Sequence, residues 1–109
     1  MFHMLTCFNL EPPATVDEFS NKLAEFSSHM QGLGLLESTG AVGRRQRHPV
    51  MDTDDERDHE YFFIMSFSDR EQCDRAVEKI RAAEQPGDSI HQAVYANICD
   101  PVFICWEDV

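Results

Sequence analysis

The segment Tyr61-Phe62-Phe63-Ile64-Met65-Ser66-Phe67 limits the fold more than any other part of the chain. Successive side chains of a strand point to opposite sides of a sheet, and here both sides are apolar for most of the length. Such a strand belongs in the middle of a sheet, with apolar material above and below it. Residues 2–10 share the property, with Phe2, Met4, Phe8 and Leu10 on one parity and Leu5 and Cys7 on the other. Residues 101–106, Pro-Val-Phe-Ile-Cys-Trp, make a third strand of this type. Pooled by parity, Phe2, Met4, Phe8, Tyr61, Phe63, Met65, Phe67, Val102, Ile104 and Trp106 form one apolar set. Leu5, Cys7, Phe62, Ile64, Phe103 and Cys105 form the opposing one.

The segments between these strands are largely helical in pattern. Pro12 and Pro13 stop the first strand, and Thr15-Val16-Asp17-Glu18 supplies a capping box, whose hydroxyl and carboxylate satisfy amides left free at a helix start. Val16, Phe19, Leu23, Phe26, Met30 and Leu33 then recur every third or fourth residue as one stripe, until Gly32 and Gly34 end the helix. Residues 35–46 carry Leu36, Thr39 and Val42 and predict a weaker second strand, in which Gly40 and Gly43 mark a bulge or a close backbone approach. Residues 47–60 change from basic to acidic and read as a long exposed connection. Ser68-Asp69-Arg70-Glu71 repeats the capping box before a second helix with Cys73, Ala76, Val77, Ile80 and Ala83 on its apolar stripe, broken by Gln85-Pro86-Gly87. Asp88 or Ser89 caps a short third helix carrying Ile90, Ala93, Val94 and Ile98 ahead of the last strand.

The predicted order, βαββα(α)β, is that of an α+β protein. Two β-α-β halves make the ferredoxin-like split βαβ fold, βαββαβ with a short extra helix, as one domain over residues 1–109. Four antiparallel strands are then covered by helices on one side. The uncovered side is also apolar, and an exposed apolar patch beyond several hundred Å2 is unusual for a monomer. A homodimer packed sheet to sheet is the expected solution.

Twenty acidic residues against nine basic ones give a formal net charge of -11. Phosphate-backbone binders need clustered Lys and Arg to displace counterions, so no nucleic acid is expected as a partner. No run approaches the roughly 18 apolar residues of a membrane span, and MFHMLTCFNLEPP lacks the basic start and small-residue cleavage site of a secretory signal. The expectation is a cytoplasmic protein with no membrane partner. Cys7, Cys73, Cys99 and Cys105 lie in strand-like or helical apolar stretches without a Cys-x-x-Cys pair, and read as buried free thiols. There is no Gly-rich phosphate loop, P-loop lysine or Ser nucleophile elbow, and no cofactor is expected.

Three short motifs occur in order along the chain: His3-Met4-Leu5-Thr6-Cys7-Phe8 followed by Pro12-Pro13, Phe67-Ser68 before the second helix, and Ile90-His91-Gln92-Ala93-Val94 in the third. With this arrangement nearly the whole chain resembles the dimeric α+β barrel superfamily, in particular the stress-responsive A/B barrel domains and the antibiotic-biosynthesis monooxygenases. The chain departs from that pattern at Glu84-Gln85-Pro86-Gly87, where members often have a His-Pro pair, and in its long acidic segment 48–60. Members include cofactor-independent oxygenases of polycyclic aromatics, cyclases of polyketide chains, and proteins of no known activity. The resemblance implies that His3 and His91 are a catalytic pair facing one cavity between helices and sheet.

Imidazole suits that role because its ordinary pKa of about 6.5 allows proton acceptance or donation near neutrality. Tyr95, one helical turn after His91, and Asn9, on the strand parity of His3, are the candidate hydrogen-bonding residues for a substrate. Arg44-Arg45-Gln46-Arg47 offers a contact for a carboxylate or phosphate, with Arg44 as the candidate substrate-binding residue. Against it stands neutralisation by Asp52, Asp54, Asp55, Glu56 and Asp58. Asp52-Thr53-Asp54-Asp55-Glu56 starts like a calcium loop, but Arg57 and Phe63 occupy the positions of the required Gly and Glu. His48 and His59 lack the spacing of a tetrahedral site, so no metal is expected. Trp106 and the phenylalanines are core, dimer seam, or the lining of a pocket for a small apolar or aromatic ligand. Two functional classes stay open: a cofactor-independent enzyme or binder of such a molecule, and a non-catalytic structural or regulatory dimer that interacts with another protein. An enclosed pocket of roughly 300 Å3 or more favours the first.

Overall fold

The computed structural model describes all 109 residues, in the order β1 (Phe2–Leu10), α1 (Val16–Gly32), β2 (Ser38–Thr39), β3 (Gly43–Arg44), β4 (Tyr61–Phe67), α2 (Arg70–Arg81), α3 (Gly87–Tyr95) and β5 (Ile98–Glu107). The two strands with no polar face take the two interior places of one antiparallel sheet, ordered β2-β4-β1-β5, with β3 also on β4. The sheet has five strands where four are expected. The expected second strand, 35–46, is interrupted and pairs with β4 only at Ser38–Thr39 and Gly43–Arg44. Its glycines account for the interruption, since a residue without a side chain adds nothing to cross-strand packing. Gly40 still donates its amide to the Ile64 carbonyl at 2.8 Å.

Register assigns the faces. β1 and β4 pair Phe2 with Phe67, Met4 with Met65, Thr6 with Phe63 and Phe8 with Tyr61, and residues directly opposite each other share a face. This is the helix-covered face, and all four odd-numbered residues of β4 from Tyr61 to Phe67 are buried on it. β5 pairs Met4 with Cys105 and Thr6 with Phe103. Phe103 and Cys105 therefore belong under the helices, while Val102, Ile104 and Trp106 belong to the opposite face with Leu5, Cys7, Phe62 and Ile64. That reverses the parity expected for the last strand.

One end of the covered face is filled by aromatic rings. Phe8 lies 4.6 Å from Phe19 of α1 and 5.7 Å from both Tyr61 and Phe63, centroid to centroid. Such pairs add roughly 0.5–1.5 kcal/mol each beyond their area burial. α1 buries Phe19, Leu23, Phe26 and Met30, whereas Leu33, expected to continue the stripe, is 46% exposed past the glycine. Thr15 caps the helix by accepting from the Glu18 amide at 3.2 Å. In α2 the cap falls one residue later than expected: Asp69 Oδ1 accepts from the Gln72 amide at 2.8 Å, and Gln72 Oε1 accepts from the Ser68 amide at 2.7 Å. α3 begins at Gly87 without a side-chain cap, and Ile98, expected to belong to it, starts β5. All four cysteines are unpaired, but of the four expected to be buried only Cys7 is; Cys73 and Cys99 are half-buried and Cys105 is exposed. No helix is long and apolar enough to cross a membrane.

Candidate functional site

The other end of the covered face is not filled. Met4 and Met65 on the sheet, Met30 on α1, Cys73 and Ala76 on α2, and Tyr95 on α3 line a partly open cavity of about 360 Å3. Thirteen of its fourteen lining residues are hydrophobic; the exception is His91. The cavity exists because α2 presents small side chains, Cys73 and Ala76, where α1 presents phenylalanines, so α2 leaves space over the sheet where α1 fills it.

α3 projects its two polar rings into this apolar wall. His91 and Tyr95 are one turn apart, with ring centroids 4.9 Å from each other, and His91 lies 5.5 Å from Phe26 of α1. Burial holds the His91 pKa below its ordinary 6.5, with the Asp88 carboxylate opposing the shift. Burial alone pushes the Tyr95 phenol up to about 12, with no hydrogen bond or charge offsetting it. At neutral pH the cavity therefore carries an uncharged imidazole and an uncharged phenol. The imidazole can accept a proton and the phenol can donate a hydrogen bond.

His3 is elsewhere. It pairs with Ser66 and Trp106 across the strands, one residue out of phase with Met4, and so stands on the uncovered face. Its Nδ1 is 2.8 Å from Ser66 Oγ, its Nε2 is 2.9 Å from Asp108 Oδ1, and the Trp106 ring lies 5.1 Å away. The sheet separates His3 from His91, and the expected pair facing one cavity is not formed. The physical reason is the two-residue period of the strand: with Met4 and Phe8 under the helices, an odd-numbered residue cannot be there as well.

Asn9 shares the face of His3, as its parity predicts, and is also remote from the cavity. Its Oδ1 accepts from the Glu60 amide at 2.8 Å. Arg44, on β3 at the sheet edge, lies 5.6 Å over the Tyr61 ring and 3.6 Å from Glu60, and reaches no cavity residue. Of the five residues singled out from sequence, the structure brings together His91 and Tyr95. The cavity residues that sequence reasoning placed only on apolar strand faces and helix stripes include Met4, Met30, Met65 and Ala76, which carry no chemical signature of their own.

The segment 45–60 also departs from a merely exposed connection. It folds back as a strap over the Cys7 end of the uncovered face, with Leu5, Cys7, Phe62 and Ile104 beneath a groove walled by Arg45, Asp52 and Arg57. Arg45 holds it together: Nε and Nη2 donate to the two Asp52 carboxylate oxygens at 2.7 and 2.6 Å, and Nη2 also donates to the Asp54 carbonyl at 2.7 Å. Arg47 lies 3.5 Å from Asp58 and 3.9 Å from Asp52, so the basic cluster is neutralised locally. His59 is buried and its Nε2 lies 2.6 Å from the Asp100 carbonyl, fastening the strap to β5. Cys7 is consequently only 3% exposed although its face carries no helix, and burial raises its thiol pKa.

No protein-family model matches the sequence, and no curated protein matches it. Among solved structures, a protein of Arabidopsis thaliana superposes with a TM-score of 0.72 at 6% identity, covering 100% of this chain and 96% of its own. A dimeric ferredoxin-like protein from Jannaschia sp. CCS1 gives 0.66 at 15% identity, with 98% of each chain covered. An antibiotic biosynthesis monooxygenase gives 0.61 at 16% identity, covering 100% of this chain and 99% of the other. Coverage is end to end in each case, so the likeness concerns the whole topology, and the chain has the ferredoxin-like α+β fold.

Proposed function

We propose that this protein binds a small, largely apolar or aromatic molecule in the cavity beneath α2 and α3, and acts on it without a cofactor as a proton-transfer enzyme. The observation that carries the reading is the pairing of an apolar wall with an uncharged imidazole and phenol at one end. In this reading His91 accepts a proton from an acidic hydroxyl or C–H group of the ligand, and Tyr95 donates a hydrogen bond to the oxygen that becomes negative. The likeness to a monooxygenase supports oxygenase chemistry in which dioxygen oxidises the resulting anion, one oxygen atom entering the product and the other leaving as water. A cyclase would use the same first step.

The same reading includes a homodimer. Ile64, Ile104 and Trp106 are 38%, 45% and 39% exposed on one continuous sheet face, and a second copy packed sheet to sheet removes that surface from water. The Jannaschia neighbour, described as dimeric, supports this assembly.

Calorimetric titration with 2-naphthol, an uncharged aromatic with a single hydroxyl, tests the cavity. We expect one site per chain, weakened about three- to tenfold by Tyr95→Phe, the net worth of one neutral hydrogen bond. His91→Ala should weaken it at least as much, and His3→Ala should leave it unchanged. Binding that ignores both cavity substitutions would sink the proposal.

A further inference from the structure

The strap ends in a turn that displays apolar side chains instead of hiding them. Val50 is 71% exposed and Met51 81%, more than any other large hydrophobic residue except the terminal Val109. Yet the turn is built, not loose. His48 Nδ1 accepts from the amides of both Val50 and Met51, at 3.1 and 2.9 Å, and the Asp52 amide donates to the His48 carbonyl at 3.1 Å. Immediately beyond, Asp52 is clamped by Arg45. A fixed turn holding two apolar side chains in water, within an otherwise charged segment, gains nothing for the isolated chain.

Met51 also stands at the rim of the groove whose floor includes Leu5 and Ile104, so the knob and the bare sheet surface adjoin on one side of the molecule. A two-fold interface needs this combination: if knob meets patch in one direction, symmetry makes patch meet knob in the other. We infer that the strap tip, Val50 and Met51, is an arm that docks a second copy of this chain, packing on that copy's bare surface at Ile64, Ile104 and Trp106 while receiving its tip in return. The strap roofs the Cys7 end of the face in each chain, so the contact is confined to the uncovered end and the two straps flank it. The occupant is a second copy because knob and patch are both apolar and lie on one face, so that two copies related by a two-fold axis satisfy each other.

This inference rests on the proposed homodimer, and the experiment separates the two. Sedimentation equilibrium across a dilution series is run on wild type, on Val50→Ser/Met51→Ser, and on Trp106→Asp, with circular dichroism and thermal unfolding as the check on folding. The account expects a wild-type dimer, dissociation by Trp106→Asp, and a dimer constant weakened at least tenfold by the strap-tip pair with the helical signal intact. A dimer that Trp106→Asp dissociates and the strap-tip pair leaves within twofold overturns the arm and keeps the dimer. A wild type that stays monomeric at all concentrations overturns both and gives the face to another occupant. If Trp106→Asp unfolds the chain, Ile104→Ser replaces it on the patch side.

Discussion

If the cavity under α2 is empty space, a larger side chain at Ala76 will stabilise the protein. Ala76 is 3% exposed, sits inside α2 and forms part of the cavity wall. Ala76→Leu adds three carbon groups of roughly 30 Å3 each, about the share of a water molecule in the liquid, against a cavity of about 360 Å3. Each buried group contributes about 0.8 kcal/mol, or about 2.4 kcal/mol together. Leucine's lost rotamer freedom removes about 0.5–1 kcal/mol, and its helix propensity is close to that of alanine. The net expectation is a gain of about 1.5 kcal/mol. Urea unfolding at fixed protein concentration reads it as a higher midpoint with an unchanged slope, and a thermal scan as an increase of several degrees. The same substitution should abolish 2-naphthol binding. A loss of 1 kcal/mol or more, the behaviour of an overpacked core, would show that the space is filled and refute the reasoning.

Other outcomes follow from the same geometry. Phe8→Ala should cost about 3–5 kcal/mol by chemical denaturation, because its ring is fully buried against Phe19, Tyr61 and Phe63. His91 binds its proton less readily folded than unfolded, so the stability from its neutral form is complete above pH 6.5 and is lost as pH falls through the lowered folded value. Denaturation across that window should therefore lose part of its acid sensitivity in His91→Phe; an unchanged slope contradicts the assignment. For Tyr95 the sign is opposite, stability being present below pH 10 and lost as pH rises toward about 12. Arg45→Ala should free the strap and raise the rate at which a thiol reagent modifies Cys7, followed by peptide mapping to separate it from the exposed Cys105; a rate equal to wild type would mean that the strap is not what covers it.

The start of α1 and the central strand were readable in the sequence because each rests on local chemistry: the Thr15 cap, the Phe19-to-Met30 stripe, the uninterrupted apolar run of β4. The position of His3 was not, and the reason is physical. β1 is apolar on both parities, so alternation cannot say which side meets the helices, and a one-residue difference in register decides it. The last strand failed in the same way, with Phe103 under the helices where Val102, Ile104 and Trp106 were expected. α3 gave the opposite result, since the one-turn spacing of His91 and Tyr95 makes them neighbours on any helix. The strap was legible as composition but not as shape. Its charges pair, as their mixed signs suggest, but the fold-back over Cys7 depends on Arg45 reaching Asp52 and the Asp54 carbonyl, contacts that no periodicity records.

The central claim is that the ligand-binding chemistry belongs to His91 beneath the helices and not to His3 on the other side of the sheet. The most direct measurement follows the imidazole ring proton resonances of both histidines during a titration with 2-naphthol. Displacement of the His91 resonances to saturation, with those of His3 unmoved, is the predicted result. Movement of His3 while His91 stays in place would contradict the account.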